Sequence, residues 1–349
     1  MPPFPSGPLR IAVYSLELTA YACARLRLIL PAARAAGQIE LLWAVRSDGT
    51  DFAIDARPID QADIILFQRQ FPQPLTQPLV DQALRTGKPV VYDLDDLLLE
   101  LPPEHPFAAR IRPNLPHIRD LLAAATVTTV SSHTLCQSLE GLATRLHVLP
   151  NLLPETLWKP RPPKTDAPVC IGYAGTSSHL PDLAGVEEAL LDIANRHGTV
   201  VRFLFYGCAT PRLRALRNAE VLPFDAGYEA YARRLSRLGL HIGIAPLHNS
   251  AFNRCKSDVK WQEYSACEAA GAYAALPPYT EVVEHGATGM LCGPSPQEWV
   301  EALERLIVSP AYRMTIARQA RAAVLERRGL ALRGACFAEF WRSLVERGQ

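Results

Sequence analysis

The chain has 349 residues, too many for one ordinary core and about right for two α/β domains of ~100–200 residues each. Its 36 Lys and Arg nearly cancel its 35 Asp and Glu, so nothing in the overall charge calls for a polyanionic partner such as DNA, no nucleic-acid partner is expected, and any positive site is local. Eight scattered cysteines, with no Cys-x-x-Cys pair and no His cluster at metal spacing, argue against a disulfide framework or a zinc site.

The opening MPPFPSGPLRIAVYSLEL lacks the basic-then-apolar order of a secretory signal, and no stretch approaches the ~18 apolar residues of a membrane span. A cytoplasmic chain is expected, with peripheral contact at the inner membrane face compatible. RIAVYS (10–15) reads as a buried parallel strand, followed by a helix from Tyr21 to Ala36 closed by Gly37. Further strands are expected at 39–45, 62–68, 89–93, 126–130 and 145–150, with helices at 75–86 and 115–125 between them. Such alternation, with strands apolar on both faces, points to a doubly wound parallel sheet.

The Pro-rich stretch 151–167 reads as a linker after a first domain at 1–150. A second alternating series then occupies 168–325. Its strands are expected at 169–175, 200–207, 219–223, 238–247, 272–277 and 289–292, and its helices at 183–196, 227–237 and 258–270. Helices at 296–308, 310–327 and 333–346 close the chain, and 326–349 is a candidate to pack back on the first domain. The expected fold class is therefore α/β, two Rossmann-like doubly wound domains facing a cleft, where the strand ends of such sheets bind ligands.

Several residues at those ends carry chemistry. Lys256, Lys260 and Glu263 are spaced to share one helix face, with a helix start near Ser257 and Asp258. Lysines suit a diphosphate as compact charges, and a carboxylate can accept hydrogen bonds from both hydroxyls of a ribose. Gly175, Thr176 and Ser177 form a strand-to-helix turn small enough for backbone N–H groups to approach a phosphate, and Gly207 ends the next strand. Asp93, Asp95 and Asp96 close the strand PVVYD. They invite a Mg²⁺ site, or an acceptor role in which Asp93 or Asp95 orients or deprotonates a hydroxyl. Arg25 and Arg27 at the start of the first helix, and Arg69 after DIILFQ, are candidates to meet phosphate or an acidic acceptor.

The stretch 252–306, FNRCKSDVKWQEYSACEAAGAYAALPPYTEVVEHGATGMLCGPSPQEWVEALERL, joins a Lys-x-x-Glu helix, a small-residue strand, Pro-x-Tyr-Thr-Glu-Val-Val with Glu281, and a Gly-x-x-Gly turn. With YAGTSSHLPDL (173–183) it resembles the donor-binding half of family-4 retaining glycosyltransferases, whose fold is named GT-B. CARLRLILPA, LFQR and GKPVVYDLDDLL resemble their N-terminal half more loosely. The resemblance implies a retaining, metal-independent hexosyltransferase with a nucleoside-diphosphate sugar as co-substrate and no cofactor. Lys260 would act catalytically at the diphosphate and Glu263 at the ribose, with Gly175, Thr176, Ser177, Gly207, Lys256 and Glu281 also on the donor. Asp93 and Asp95 would serve catalysis, and Arg25, Arg69 and Asp96 the acceptor. That acceptor would be a glycan, lipid-linked or protein hydroxyl, as in surface-polysaccharide synthesis.

The sequence departs from the family at four points, one being that Ser15 to Thr19 replace a glycine-rich first loop. Cys255 replaces the first of two glutamates usually eight positions apart, Glu268 stands where glycine is usual, and the basic residue expected soon after Gly175 is missing, with His179 either in its place or, as reads better, a capping or surface histidine. A nucleotide-sugar 2-epimerase of similar fold and a non-catalytic sugar-nucleotide-binding partner are the alternatives.

Overall fold

The computed structural model describes residues 7–35, 37–47, 51–161 and 167–346. The chain divides into two compact units: Met1–Leu152 with Cys255–Ser257 and Leu330–Gln349, and Leu153–Arg254 with Asp258–Gly329. Ala36, the expected helix end, and residues 162–166 of the Pro-rich stretch lie outside the described residues. The described part of that stretch is no free tether. Leu153 N–H donates to Arg328 O at 2.8 Å and Arg161 N–H to Ser236 O at 2.9 Å. Trp158 is buried, edge-on to Tyr231.

The first unit contains β1 (Leu9–Ser15), β2 (Ile39–Trp43), β3 (Val45–Ser47), β4 (Phe52–Ile54), β5 (Ile64–Gln68), β6 (Val90–Leu94), β7 (Val127–Val130) and β8 (Leu146–Val148). Six of these form a parallel sheet in the order β2-β1-β5-β6-β7-β8. Every residue of β5 and β6 is buried, as near-continuous apolar runs require. The antiparallel pair β3–β4 was not legible in the sequence, where 39–45 reads as one strand. The strand breaks at Ala44, whose N–H goes to Val13 O and whose carbonyl accepts from Asp55 N–H.

Residues 22–34 form one helical stretch, but its middle, Arg25–Ile29, is π-helical. The last helix, Ala335–Glu346, buries Phe337, Phe340, Trp341 and Leu344 in the core built on β1 and the Leu30–Arg34 helix. Each such side chain contributes about 1.5–3 kcal/mol by burial, so this segment belongs to the first unit's core.

The second unit contains β9 (Val169–Gly175), β10 (Val201–Gly207), β11 (Ala219–Leu222), β12 (Ile242–Ala245), β13 (Ala270–Ala274) and β14 (Met290–Cys292). They form a parallel sheet in the order β11-β10-β9-β12-β13-β14. Winding reverses between β9 and β12 here, and between β1 and β5 in the first unit. Ligands of open α/β sheets bind at the carboxyl ends of strands beside such reversals.

At the second reversal β9 and β12 pair only at Ile171 with Ile242 and Gly172 with Gly243. Beyond that point the hydroxyl of Tyr264 fills the gap, accepting from Ala174 N–H at 3.1 Å and donating to Ile244 O at 3.0 Å. Gly243 makes room for it, because a Cβ there would lie 2.4 Å from the Tyr264 ring. Tyr264 thus clamps its helix, Val259–Ala266, against the strand ends. Glu268 follows this helix at φ 58°, the left-handed position that explains why glycine is usual there.

Candidate functional site

In the second unit, Gly175 and Gly207 face each other in register at the ends of β9 and β10. Gly207 has φ 115°, and a Cβ on it would lie 2.2 Å from the Gly175 carbonyl oxygen. Only glycine allows this approach. Thr176 and Ser177 follow, both exposed, leading into the single 3-10 turn Ser177–His179 and the five-residue helix Leu180–Ala184. The turn is therefore lined by backbone and small side chains rather than capped by a long helix. Cys208 Sγ donates to Thr176 O at 3.2 Å, which ties the two strand ends together.

Lys260 and Glu263 do share a face of the helix Val259–Ala266. The Lys260 ammonium donates to Glu263 Oε2 at 2.6 Å and to the Tyr231 hydroxyl at 2.8 Å, and Tyr231 donates to the same Glu263 oxygen at 2.7 Å. Glu263 is buried, whereas the Lys260 side chain retains 25% exposure. Tyr231 also offers its ring to the ammonium at 5.2 Å and stacks on Tyr206, the neighbour of Gly207. The charge of Lys260 acts on Cys208, whose thiol is raised by burial and lowered in part by Tyr173, Arg214 and Lys260. Through Tyr231, stacked on the residue before Gly207, Lys260 is tied to the end of β10. Tyr231, which orients both members of the ion pair, carried no sequence signal beyond its helix. Glu281 caps the turn Pro277–Thr280 and is exposed.

The expected helix face is corrected at its start. Lys256 precedes the helix, packs in the first unit, and lies 3.5 Å from Asp96. Ser257 likewise accepts from Asn151 in the first unit. Asp258 is buried, its carboxyl pushed up by burial, and accepts from Arg328 at 2.9 Å and Gln262 at 2.8 Å. Cys255, in place of the first glutamate, is buried with Sγ 3.2 Å from Ser138 Oγ.

In the first unit the three aspartates part company. Asp93 lies within β6, 3% exposed, and pairs with Arg27 at 2.6 Å. Gln68 Nε2 donates to it at 3.1 Å and Thr129 Oγ1 at 2.7 Å. Three donors saturate this buried carboxylate. Asp93 is thereby corrected from a catalytic group to a structural anion, and Arg27, itself 1% exposed, to its counterion. Arg25 is half-buried.

Asp95 and Asp96 instead converge on Arg69. Its Nη1 donates to Asp95 and, at 3.1 Å, to Asp96, while its Nε lies 3.2 Å from Glu17 Oε1. Arg69 has φ 51°, an unfavourable backbone held by its N–H to Asp93 O and by Tyr92 O–H donating to its carbonyl at 2.7 Å. Such strain costs about 1–3 kcal/mol and clusters at functional sites. Burial works against the Arg69 charge, but the surrounding anions, Asp95 foremost, hold it protonated. Burial raises the Glu17 carboxyl; Arg69 opposes this, and Asp95 and Asp96 add to it. Glu17 was missed in the sequence, although its loop follows β1 at the winding reversal.

Among the described residues no group of three or more His, Cys, Asp or Glu is placed to hold a metal ion, and no helix is long and apolar enough to cross a membrane. No protein-family model and no curated protein sequence matches the chain. Solved structures do. Sucrose-phosphate synthase from Thermosynechococcus elongatus superposes with a TM-score of 0.72 at 14% identity, covering 97% of this chain and 100% of that one. A glycosyltransferase from Rickettsia africae gives 0.68 at 12% identity over 97% and 99%, and Anabaena HepE in complex with UDP gives 0.64 at 17% over 96% and 100%. At these identities the likeness is one of fold, and with its two parallel six-stranded sheets the chain has the GT-B fold of these glycosyltransferases.

Proposed function

We propose that the protein is a glycosyltransferase that moves a sugar from a nucleoside-diphosphate sugar to a hydroxyl acceptor with retention of anomeric configuration and without a metal. The observation that carries this reading is the partly exposed Lys260 ammonium, oriented by Glu263 and Tyr231, beside the bare strand ends at Gly175 and Gly207. An ammonium and free backbone N–H groups stabilise a departing diphosphate, where negative charge grows in the transition state. Glu263 would exchange its bond to Lys260 for the ribose hydroxyls as the diphosphate takes the lysine. Glu281 and the Thr176–Ser177 turn complete the donor side. HepE, of the same fold, is solved with UDP-glucose.

Acceptor recognition is assigned to the first unit, where Arg69 holds Asp95 and Asp96 at the strand ends and Arg25 lies on the helix after β1. Carboxylates fixed by an arginine are fit to accept hydrogen bonds from sugar hydroxyls, in line with a glycan, lipid-linked or protein-linked acceptor. Asp95 is the candidate to orient the attacking hydroxyl.

The test is calorimetric titration with UDP-, GDP- and ADP-glucose, followed by release of nucleoside diphosphate. Lys260→Ala is expected to weaken donor affinity about 10- to 150-fold, the worth of a charged hydrogen bond. Asp95→Asn should lower turnover and leave donor affinity within a few-fold of the parent. Turnover should persist in excess EDTA. Unchanged affinity in Lys260→Ala moves the donor site elsewhere; loss on chelation, restored by Mg²⁺, overturns the metal-free route; conversion of the nucleotide sugar without acceptor or hydrolysis makes the protein an epimerase.

A further inference from the structure

The turn that follows β9, YAGTSSHLPDL, contains no Lys or Arg. It does contain one end of a polar cluster at the winding reversal. Asp182, 4% exposed, accepts from backbone N–H of His248 at 3.0 Å and from Asn253 Nδ2 at 2.8 Å. His248 Nδ1 lies 2.6 Å from the same carboxylate and His179 Nδ1 3.0 Å from it. His179 ends the turn after β9, and His248 lies in the loop after β12, so both histidines stand at the carboxyl ends of the two strands between which the winding reverses. Neither imidazole is fully buried: 27% of the His179 side chain and 39% of the His248 side chain remain exposed.

The protons of His248 can be placed. Burial pushes the Asp182 carboxyl up, but the hydrogen bonds from His179 and from the His248 backbone, with the charge of both rings, hold it below the usual carboxylate range. An ionised carboxylate only accepts, so the 2.6 Å contact requires the proton on Nδ1 of His248. The Asn253 amide, 3.0 Å from that nitrogen, then spends its protons on Asp182 and on the His248 carbonyl, also at 3.0 Å. With Nδ1 committed, Nε2 points to the far side of the ring, and among the described residues it has no hydrogen-bond partner. A neutral ring presents a lone pair there, and a protonated ring presents an N–H. Tyr173 and Tyr279 also feel Asp182, but burial first, and neighbouring groups after it, raise both far above their ordinary value, so they remain neutral.

We infer that His248, held by Asp182 at the reversal between β9 and β12 with His179 beside it, binds the diphosphate of the donor as an imidazolium. This rests on the donor-site reading above. Lys260 supplies fixed charge from the helix side, and His248 supplies charge that depends on pH. A buried anion is favoured by nearby positive charge, and the His248 ring, whose Nδ1–H is committed to Asp182, provides it by taking a proton on Nε2. A diphosphate accepts from Nε2–H and is repelled by the lone pair, so donor binding and proton uptake are linked. The sign follows: affinity is highest at the acid end, where an imidazole carries a proton on both nitrogens, and falls as pH rises.

The test uses the intact protein and whichever of UDP-, GDP- or ADP-glucose binds it. A nucleotide sugar has no phosphate monoester, so its own charge stays constant where a free nucleoside diphosphate, with a last ionisation near ~6, would change. Affinity measured from about pH 5.5 to 8.5, a span that brackets imidazole titration, should fall roughly tenfold for the parent, the lower worth of a charged hydrogen bond. His248→Gln should flatten that slope by removing the acid-side gain, and Asp182→Asn should flatten it by releasing both rings. Lys260→Ala should bind more weakly at every pH with the slope retained. If the parent binds without a pH slope, or if His248→Gln, His179→Gln and Asp182→Asn keep the parent slope, the inference falls while the donor site stands. If none of the three nucleotide sugars binds the parent at any pH, the donor-site reading falls and takes the inference with it. Thermal unfolding of each variant identifies any that fails to fold, and the remaining two then decide.

Discussion

The two units use the same device differently. Each is a six-stranded parallel sheet with ionic groups at its strand ends, yet the first unit pairs its charges inward and the second leaves some of its own partly open. Arg27 and Asp93 are almost wholly buried and saturate each other with help from Gln68 and Thr129. Lys260 shares Glu263 with Tyr231 but keeps a quarter of its surface, beside glycines that admit a ligand to the backbone. A buried pair with every valence filled builds structure, because removing one partner strands the other. A half-open pair can exchange one partner for a ligand at small cost. The lesson is that a carboxylate at a strand end is informative only once its donors are counted.

The largest effect is expected at the buried pair. Arg27→Met keeps bulk and removes the guanidinium, leaving Asp93 charged and under-bonded, so denaturant unfolding should show a loss of about 3–5 kcal/mol. Donor affinity should be unchanged; a stable Arg27→Met with weakened donor binding would mean that this pair serves the ligand after all. A smaller effect on stability, about 1–3 kcal/mol, is expected for Gly207→Ala, whose φ and contact with the Gly175 carbonyl leave no room for a methyl. Here donor affinity should fall as well, since the Gly175 turn must shift. Normal titration of Gly207→Ala with the nucleotide sugar would show that the bare strand ends are not the phosphate site.

The smallest effect sharpens the contrast within the first unit. Glu17 has its carboxyl raised on folding by burial, against Arg69, with Asp95 and Asp96 adding to the rise. The folded state therefore binds this proton more tightly than the unfolded chain. The associated stability is fully present below the ordinary carboxylate value and is lost as pH rises through the raised one. Glu17→Gln cannot lose a proton, so its melting temperature should gain on that of the parent between about pH 4 and about pH 7. A constant difference across that span would show that Arg69 compensates Glu17 fully.

Much of the architecture was legible because burial leaves local periodicity. Apolar runs such as RIAVYS and VCIGYAG became β1 and β9, and the Lys-x-x-Glu spacing put Lys260 and Glu263 on one helical face. The hairpin β3–β4 was missed because its two three-residue strands carry too short a pattern. The Pro-rich stretch reads as a linker because proline excludes helix and central strand, and its packing, shown by the buried Trp158, leaves no local pattern.

The alternation of strand and helix, the glycine strand ends and the Lys260–Glu263 spacing are all properties of neighbours within a few residues and can be read along the chain. Partnership between charges arises only in the folded chain. Asp93 finds Arg27 across 66 positions, Asp182 finds His248 across another 66, and Lys256 turns away to Asp96 although Lys260 is one helical turn distant. The physical reason is that periodicity of 2 or 3.6 residues is written locally by burial. The partner of a charge, by contrast, is set by strand order and by which strand ends the winding brings together, and two sequences with the same local pattern can differ in both.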